Sequence, residues 1–266
     1  MNYHDFLEAA AYMELYIRES IEACLILNPD FSQLIDQVEE KVLIPYHKIP
    51  HFPQSLKTSD ACFVVGKIHG KGVLIMQQVF QRYLGDSLED ITFPIYIIHL
   101  LGIERLIFVD YCEALNKDYH VEDFVITQNH INGTGVLPRY DLLDDHFKDA
   151  RIAMDEPYDL GMLTLAKRVA DKLMIPSHCG VRYVYPGPMY PTNAESLMYQ
   201  RLGADISSMH HLYEVVTARY LDMKVLSLSC VVRTPGSNQN HQDIQNVQNA
   251  VVSRFCAWIQ NILLEM

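Results

Sequence analysis

The residues with the most evident capacity for chemistry are His210, His211 and Glu214, set close together near the middle of the C-terminal third. A helix through this stretch puts His210 and Glu214, four positions apart, on one face, a spacing used by metal-ligating pairs. No third ligand is suggested by spacing, so the better reading is a helix start that lines a pocket or meets solvent. The usual catalytic signatures are missing: there is no G-x-x-x-x-G-K-[ST], no G-x-G-x-x-G, no H-E-x-x-H and no G-x-S-x-G. Six widely spaced cysteines, with no C-x-x-C among them, read as reduced and mostly buried thiols rather than a disulfide or metal framework. The sequon Asn132-Gly133-Thr134 follows no secretory signal and carries no weight.

The elements that would position such residues alternate along the chain. Residues 3–24 have helical period, with Phe6, Ala10, Met13, Ile17 and Ile21 returning every three or four positions. Leu25-Ile26-Leu27 reads as a buried strand stopped by Asn28-Pro29-Asp30. Cys62–Gly66 and Gly72–Met76 flank Gly70-Lys71 as a hairpin. Ser87 opens a helix, with Asp90 in the capping-box place and Gly102 at its end. Leu106–Val109 and Phe124–Thr127 are strands, the first apolar on both faces as in parallel sheets. Helices are expected over 158–174, 192–202, 211–221 and 241–264, and strands over 181–185 and 225–232. That alternation predicts an α/β protein with helices around a central, mostly parallel sheet, in one domain spanning 1–266.

Composition narrows the partners. Apolar residues make up 49% of the 266 and charged residues 20%, a mix that supports a large core. The formal net charge of -12 argues against a nucleic-acid partner and against adsorption to anionic membranes, though a local basic pocket is compatible with it. No signal peptide and no apolar run of about 18 residues is read, so the expected location is the cytoplasm.

Read together, several segments resemble the trimeric purine nucleoside phosphorylases. Ile49-Pro50-His51-Phe52-Pro53 resembles IPxFP, and Met76-Gln77, Phe80, Tyr83 and Gly85 fit the MQGRFHxYEG run with gaps. Thr92-Phe93-Pro94, His99–Gly102, Leu115-Asn116 and His130-Ile131-Asn132 follow in family order. Gly187-Pro188-Met189-Tyr190-Pro191-Thr192 is similar to GPxFET, and Leu202–Asp205 with Met209 and Glu214 is similar to LGADxxGMSxxPE. The resemblance runs from about residue 25 to the C-terminus. It implies a three-layer α/β/α fold whose mixed, mostly parallel twisted sheet carries a distorted barrel, and a homotrimer with the pocket near a subunit boundary. It also implies cleavage of a purine nucleoside by inorganic phosphate to base and ribose 1-phosphate, with no cofactor beyond that phosphate as co-substrate and no metal.

This reaction needs positive charge and donors around phosphate, stabilisation of a sugar with oxocarbenium character, and donors for the departing base. Carried over position by position, the resemblance places Pro29 at the phosphate-loop serine, with Asp30 beside it. Val79 stands for the phosphate arginine, Gln81 for its histidine, His210 for a phosphate serine, and Asp110–Ala114 for the NAAGG turn. Pro191 replaces the purine-gripping glutamate and Arg233 the base-supporting asparagine; Asp60 is the nearest residue to the loop histidine. Tyr83, Tyr190 and Met209 keep the substrate-facing walls, and His241 corresponds to the late histidine near the ribose. Each charge-assisted hydrogen bond is worth about 1.5–3 kcal/mol. Losing the arginine, serine, histidine and glutamate together therefore costs on the order of 6 kcal/mol, or about 10⁴-fold in rate. Arg82, His210, His211 and Arg233 are the cations nearest in sequence that could compensate, Arg82 being expected to point to the other face of a strand. The first expectation is a homologue that has lost most or all catalysis and persists as a binding or assembly protein. The alternative is an active nucleoside-processing enzyme with a rebuilt site, using His210 or His211 as acid and Arg233 for an anion.

Overall fold

The uninterrupted apolar runs become the strands at the centre of the sheet. In the computed structural model, which describes residues 2–53, 55, 60–138, 151–237 and 239–266, β1 (Ala23–Leu27) is buried at every position. Cys24 and Ile26 point into one apolar cluster while Ala23, Leu25 and Leu27 point into another, so both faces of the strand are covered. Leu106 and Phe108 against Ile107 and Val109 repeat this split in β5 (Arg105–Ala114).

The remaining strands are β2 (Glu39–Pro45), β3 (Cys62–Ile68), β4 (Lys71–Met76), β6 (Phe124–Asn132), β7 (Ser177–Val184), β8 (Ile206–Ser208) and β9 (Lys224–Arg233). They form one nine-stranded sheet in the order β2-β3-β4-β1-β5-β8-β7-β6-β9. A further pairing of β5 with β9 closes β5, β8, β7, β6 and β9 into a ring, which is the distorted barrel. Five of the nine pairings are parallel: β1–β4, β1–β5, β5–β9, β6–β7 and β7–β8.

Helices cover both faces. Phe6 of α1 (Tyr3–Glu14), Phe93 of α3 (Leu88–Leu100) and Tyr220 of α6 (Leu212–Tyr220) fill one cluster. Leu34 of α2 (Ser32–Asp36), Ala166 of α4 (Leu160–Lys172) and Trp258 of α7 (His241–Glu265) fill the other. The last helix, α5 (Asn193–Arg201), leads from β7 into β8.

The hairpin at Gly70-Lys71 forms as expected, with β3 and β4 antiparallel. The capping box at Ser87 is complete, and Gly102 adopts φ +75 at the end of α3. Three expectations need correction. The first helix ends at Glu14 rather than 24, because Ile17 and Ile21 reach the same apolar cluster from an irregular segment and so extend the period without extending the helix. β5 runs past Val109 through Asp110 to Ala114, since Asp110 faces a polar barrel interior instead of ending the strand. Two strands, β2 and the three-residue β8, were not expected at all; β2 is mostly exposed and β8 is too short for a pattern.

Candidate functional site

Four chain segments meet around Gly187 and frame a candidate cleft. Tyr83 comes from a single 3-10 turn (Arg82–Leu84) after β4, Tyr190 from the loop after β7, Met209 and His210 from the β8–α6 connection, and Arg233 from the end of β9. Gly187 is what lets them approach. It has φ +69, and a Cβ there would collide with Met209 Sδ and lie 3.3 Å from Tyr83 Cδ1. The Tyr83 and His210 rings are 6.1 Å apart, edge to face. Tyr83 has its hydroxyl pKa raised by burial, with Tyr190 close enough to add to the effect. The Arg233 guanidinium carbon lies 4.4 Å from the Tyr190 ring centroid. Five of the expected site residues, Tyr83, Tyr190, Met209, His210 and Arg233, thus come together. His241 opens α7, after the loop that follows β9.

Behind the cleft the barrel interior is polar and closed. Arg182 of β7 is 1% exposed, and its two terminal nitrogens donate to Asp110 of β5 at 2.8 and 3.2 Å. The same nitrogens reach Thr127 at 3.1 Å, Ser227 at 3.0 Å, Ser208 at 3.4 Å and the Ser229 hydroxyl. A buried charge survives only with such an opposite charge and donors or acceptors around it. Burial drives the His210 imidazole down to about 4, with His211 and Arg182 adding to the fall and Asp110 opposing it. His130, which meets the Tyr158 hydroxyl at 3.2 Å, is likewise lowered to about 4 by burial and then by Arg182. Both imidazoles are neutral at pH 7.

His211 is buried beside Phe108, ring centroids 4.9 Å apart, in a left-handed conformation with φ 68. Its Nδ1 is 3.6 Å from Glu214 Oε1, too far for a hydrogen bond. Glu214 is therefore next to His211 rather than paired with His210, and both are buried rather than solvated. Among the described residues no group of three His, Cys, Asp or Glu side chains could hold a metal ion.

The positions set by resemblance around phosphate have other work. Asn28 caps the turn that holds Pro29 and Asp30, and the Asp30 carboxylate accepts a 3.2 Å bond from Gln248 of α7. Val79 is buried, 8% exposed. The Gln81 backbone N–H donates to Asp86 at 2.6 Å. Arg82 sits in a turn, not on a strand as expected, and its Nη1 donates to the Asp86 carbonyl at 3.0 Å. Asp110–Ala114 is strand rather than turn, with Asp110, Tyr111, Cys112 and Glu113 registered against Ser229, Cys230, Val231 and Arg233 of β9 and Ala114 against Ile206 of β8. Asp60, exposed, borders a stretch outside the described residues, so the neighbourhood of the loop histidine lies there.

Two further groups were missed. Arg182 sits in the apolar run Val181–Tyr185, and a lone arginine among buried strand residues was the signal that it has a partner. Glu113 faces Arg233 across β5 and β9, where a register shift after Cys112 leaves Val232 as the extra residue and sets the two side chains opposite each other. Glu113 Oε1 is 3.6 Å from Arg233 Nε, while its Oε2 accepts from Ser207 at 3.3 Å. Burial raises the Glu113 pKa, with Arg233 and then Ser207 pulling it back.

Comparison with known proteins follows the same lines. The pattern of the phosphorylase superfamily matches residues 27–264. Purine nucleoside phosphorylase 1 of Bacillus subtilis is 30% identical over 262 residues, covering 97% of each chain. Purine nucleoside phosphorylase of Mus musculus is 28% identical over 256 residues, covering 93% of this chain and 86% of its own. Among solved structures, a schistosoma purine nucleoside phosphorylase in complex with hypoxanthine superposes with a TM-score of 0.90 at 28% identity, covering 98% of this chain and 96% of that one. The Schistosoma mansoni enzyme in complex with inosine gives 0.91 at 27%, covering 100% and 97%.

Proposed function

Because this chain belongs to the purine nucleoside phosphorylase family of the phosphorylase superfamily, we propose that it binds a purine nucleoside or base between Tyr83, Tyr190 and Met209 while phosphorolysis is lost or strongly reduced. Homology supports the family reaction, purine nucleoside plus phosphate giving base and ribose 1-phosphate, with phosphate as co-substrate and no cofactor.

The observation that carries the loss is Val79, buried at 8% exposure where the resemblance requires the phosphate arginine. Among the described residues the nearby cations are engaged elsewhere, Arg233 with Glu113 and the Tyr190 ring. Arg82 is turned to the Asp86 carbonyl, Arg182 is bound to Asp110, and His210 is neutral at pH 7. A doubly charged oxyanion brought here would be desolvated without a cation to meet it, which is strongly unfavourable. The walls for a ring and a sugar do not depend on those groups, so binding outlives catalysis.

The test pairs two measurements on the purified protein. With inosine or guanosine and phosphate, release of base and ribose 1-phosphate is expected to be at least ~10⁴-fold below an ordinary enzymatic rate. Calorimetry with inosine alone is expected to give a binding isotherm. Turnover at an ordinary pace overturns the loss, and no binding of nucleoside or base overturns the retained pocket. A second reading, a rebuilt active site, is favoured by the Glu113–Arg233 pair at the cleft; saturable binding of inorganic phosphate to the protein would support it.

We place the protein in the cytoplasm as a homotrimer with neither nucleic acid nor membrane as partner. The net charge of -12 supports the exclusion of nucleic acid. Among the described residues no helix is long and apolar enough to cross a membrane.

A further inference from the structure

One ring face of Tyr190 is already covered from within the chain. Arg233 lies over it at 4.4 Å, a distance at which a guanidinium is attracted to an aromatic face. The other side of Arg233 faces Glu113, whose side chain is 3% exposed, while that of Arg233 is 16% exposed. Yet the two charges do not hydrogen-bond. Arg233 Nε and Glu113 Oε1 stand 3.6 Å apart and neither atom has another partner.

The pairing is thus close enough to hold Arg233 in place but leaves two buried polar atoms unsatisfied, a state that costs free energy. Tyr190 itself is 47% exposed, so the contact sits at the protein surface, where the arginine has somewhere to go.

We propose that Arg233 is a latch on the cleft: it occupies the Tyr190 ring face, is held there by Glu113, and must swing aside before a planar heterocycle can stack on Tyr190. This rests on the reading of the cleft as a nucleoside or base site. Among the described residues Glu113 Oε1 accepts no hydrogen bond, so the ligands that open the latch are heterocycles offering it an N–H donor at the ring edge. Glu113 and Arg233 then set what the cleft admits.

Two measurements test the latch. In protein labelled with ¹⁵N-arginine, the Arg233 Nε–H signal, identified by its absence in R233K, is expected to be displaced by the Tyr190 ring and to lose that displacement in E113Q. A signal at the free-arginine position in the unmodified protein overturns the latch without any ligand. In calorimetry with hypoxanthine and with inosine, R233A is expected to bind at least tenfold more tightly than the unmodified protein, and Y190L in the R233A background to lose that gain. Equal affinity in R233A and the unmodified protein overturns the latch and leaves nucleoside binding standing. No binding by either overturns the binding reading and the ligand-admitting role together, while the displaced Nε–H signal would still report the Arg233–Tyr190 contact separately.

Discussion

Arg182 and Asp110 show how much of this site is decided by single buried side chains. The guanidinium is satisfied by one carboxylate and four hydroxyls inside the barrel, with only Nε unpartnered. Removing one member of such a pair strands the other in a medium that solvates it poorly. Arg182→Met is therefore expected to lower stability by about 3–5 kcal/mol, whereas Arg182→Met combined with Asp110→Leu recovers most of it. Urea unfolding at pH 7 reads both; a single variant as stable as the parent would show that the charge is not needed. The sequence displayed Tyr83, Tyr190 and Met209, which the fold brings together, because they stand in motif-like segments. It did not display Glu113 opposite Arg233 or Asp110 opposite Arg182. These pairs are separated by more than seventy residues and meet only because β5, β7 and β9 belong to one closed ring.

Among the elements, α3 was the most legible because both ends carry local chemistry. The Ser87 hydroxyl accepts from the Asp90 N–H at 3.0 Å, and the Asp90 carboxylate takes the Ser87 N–H at 3.3 Å. These bonds satisfy backbone donors that a helix start leaves open. Ser87→Ala is expected to cost about 1 kcal/mol, seen as a lower urea midpoint with an unchanged slope. Loss of less than a few tenths would mean that packing of Ile91, Phe93 and Ile95 alone fixes the start of α3. Where an element lacks such signals, apolar periodicity misplaces its ends. Apolar spacing overstates α1 because it records what faces the core, and Ile17 and Ile21 face it without being helical. β5 was read too short because a buried carboxylate looks like a loop residue until its arginine is known.

At the scale of the molecule, the nine-stranded order and the β5–β9 closure depend on pairings between distant segments, which alternation of strands and helices cannot rank. The surface of α5 carries a further consequence. Met198 on it and Leu202 just past its end lie four residues apart, 47% and 57% exposed, with Leu197 at 47% alongside and Met189, at 79%, in the loop leading to the helix. So many large apolar side chains on one short element favour burial against another protein surface. Met189 is also the neighbour of Tyr190, so a subunit covering this patch would stand beside the cleft, which agrees with the proposed homotrimer and its pocket near a subunit boundary. Light scattering on the purified chain is expected to give three times the 30.6 kDa chain mass. Met198→Glu together with Leu202→Glu should shift that mass toward a single chain, because two carboxylates would have to be desolvated at the contact. A single-chain mass for the unmodified protein would refute the trimer, and a trimer untouched by both glutamates would move its interface away from α5.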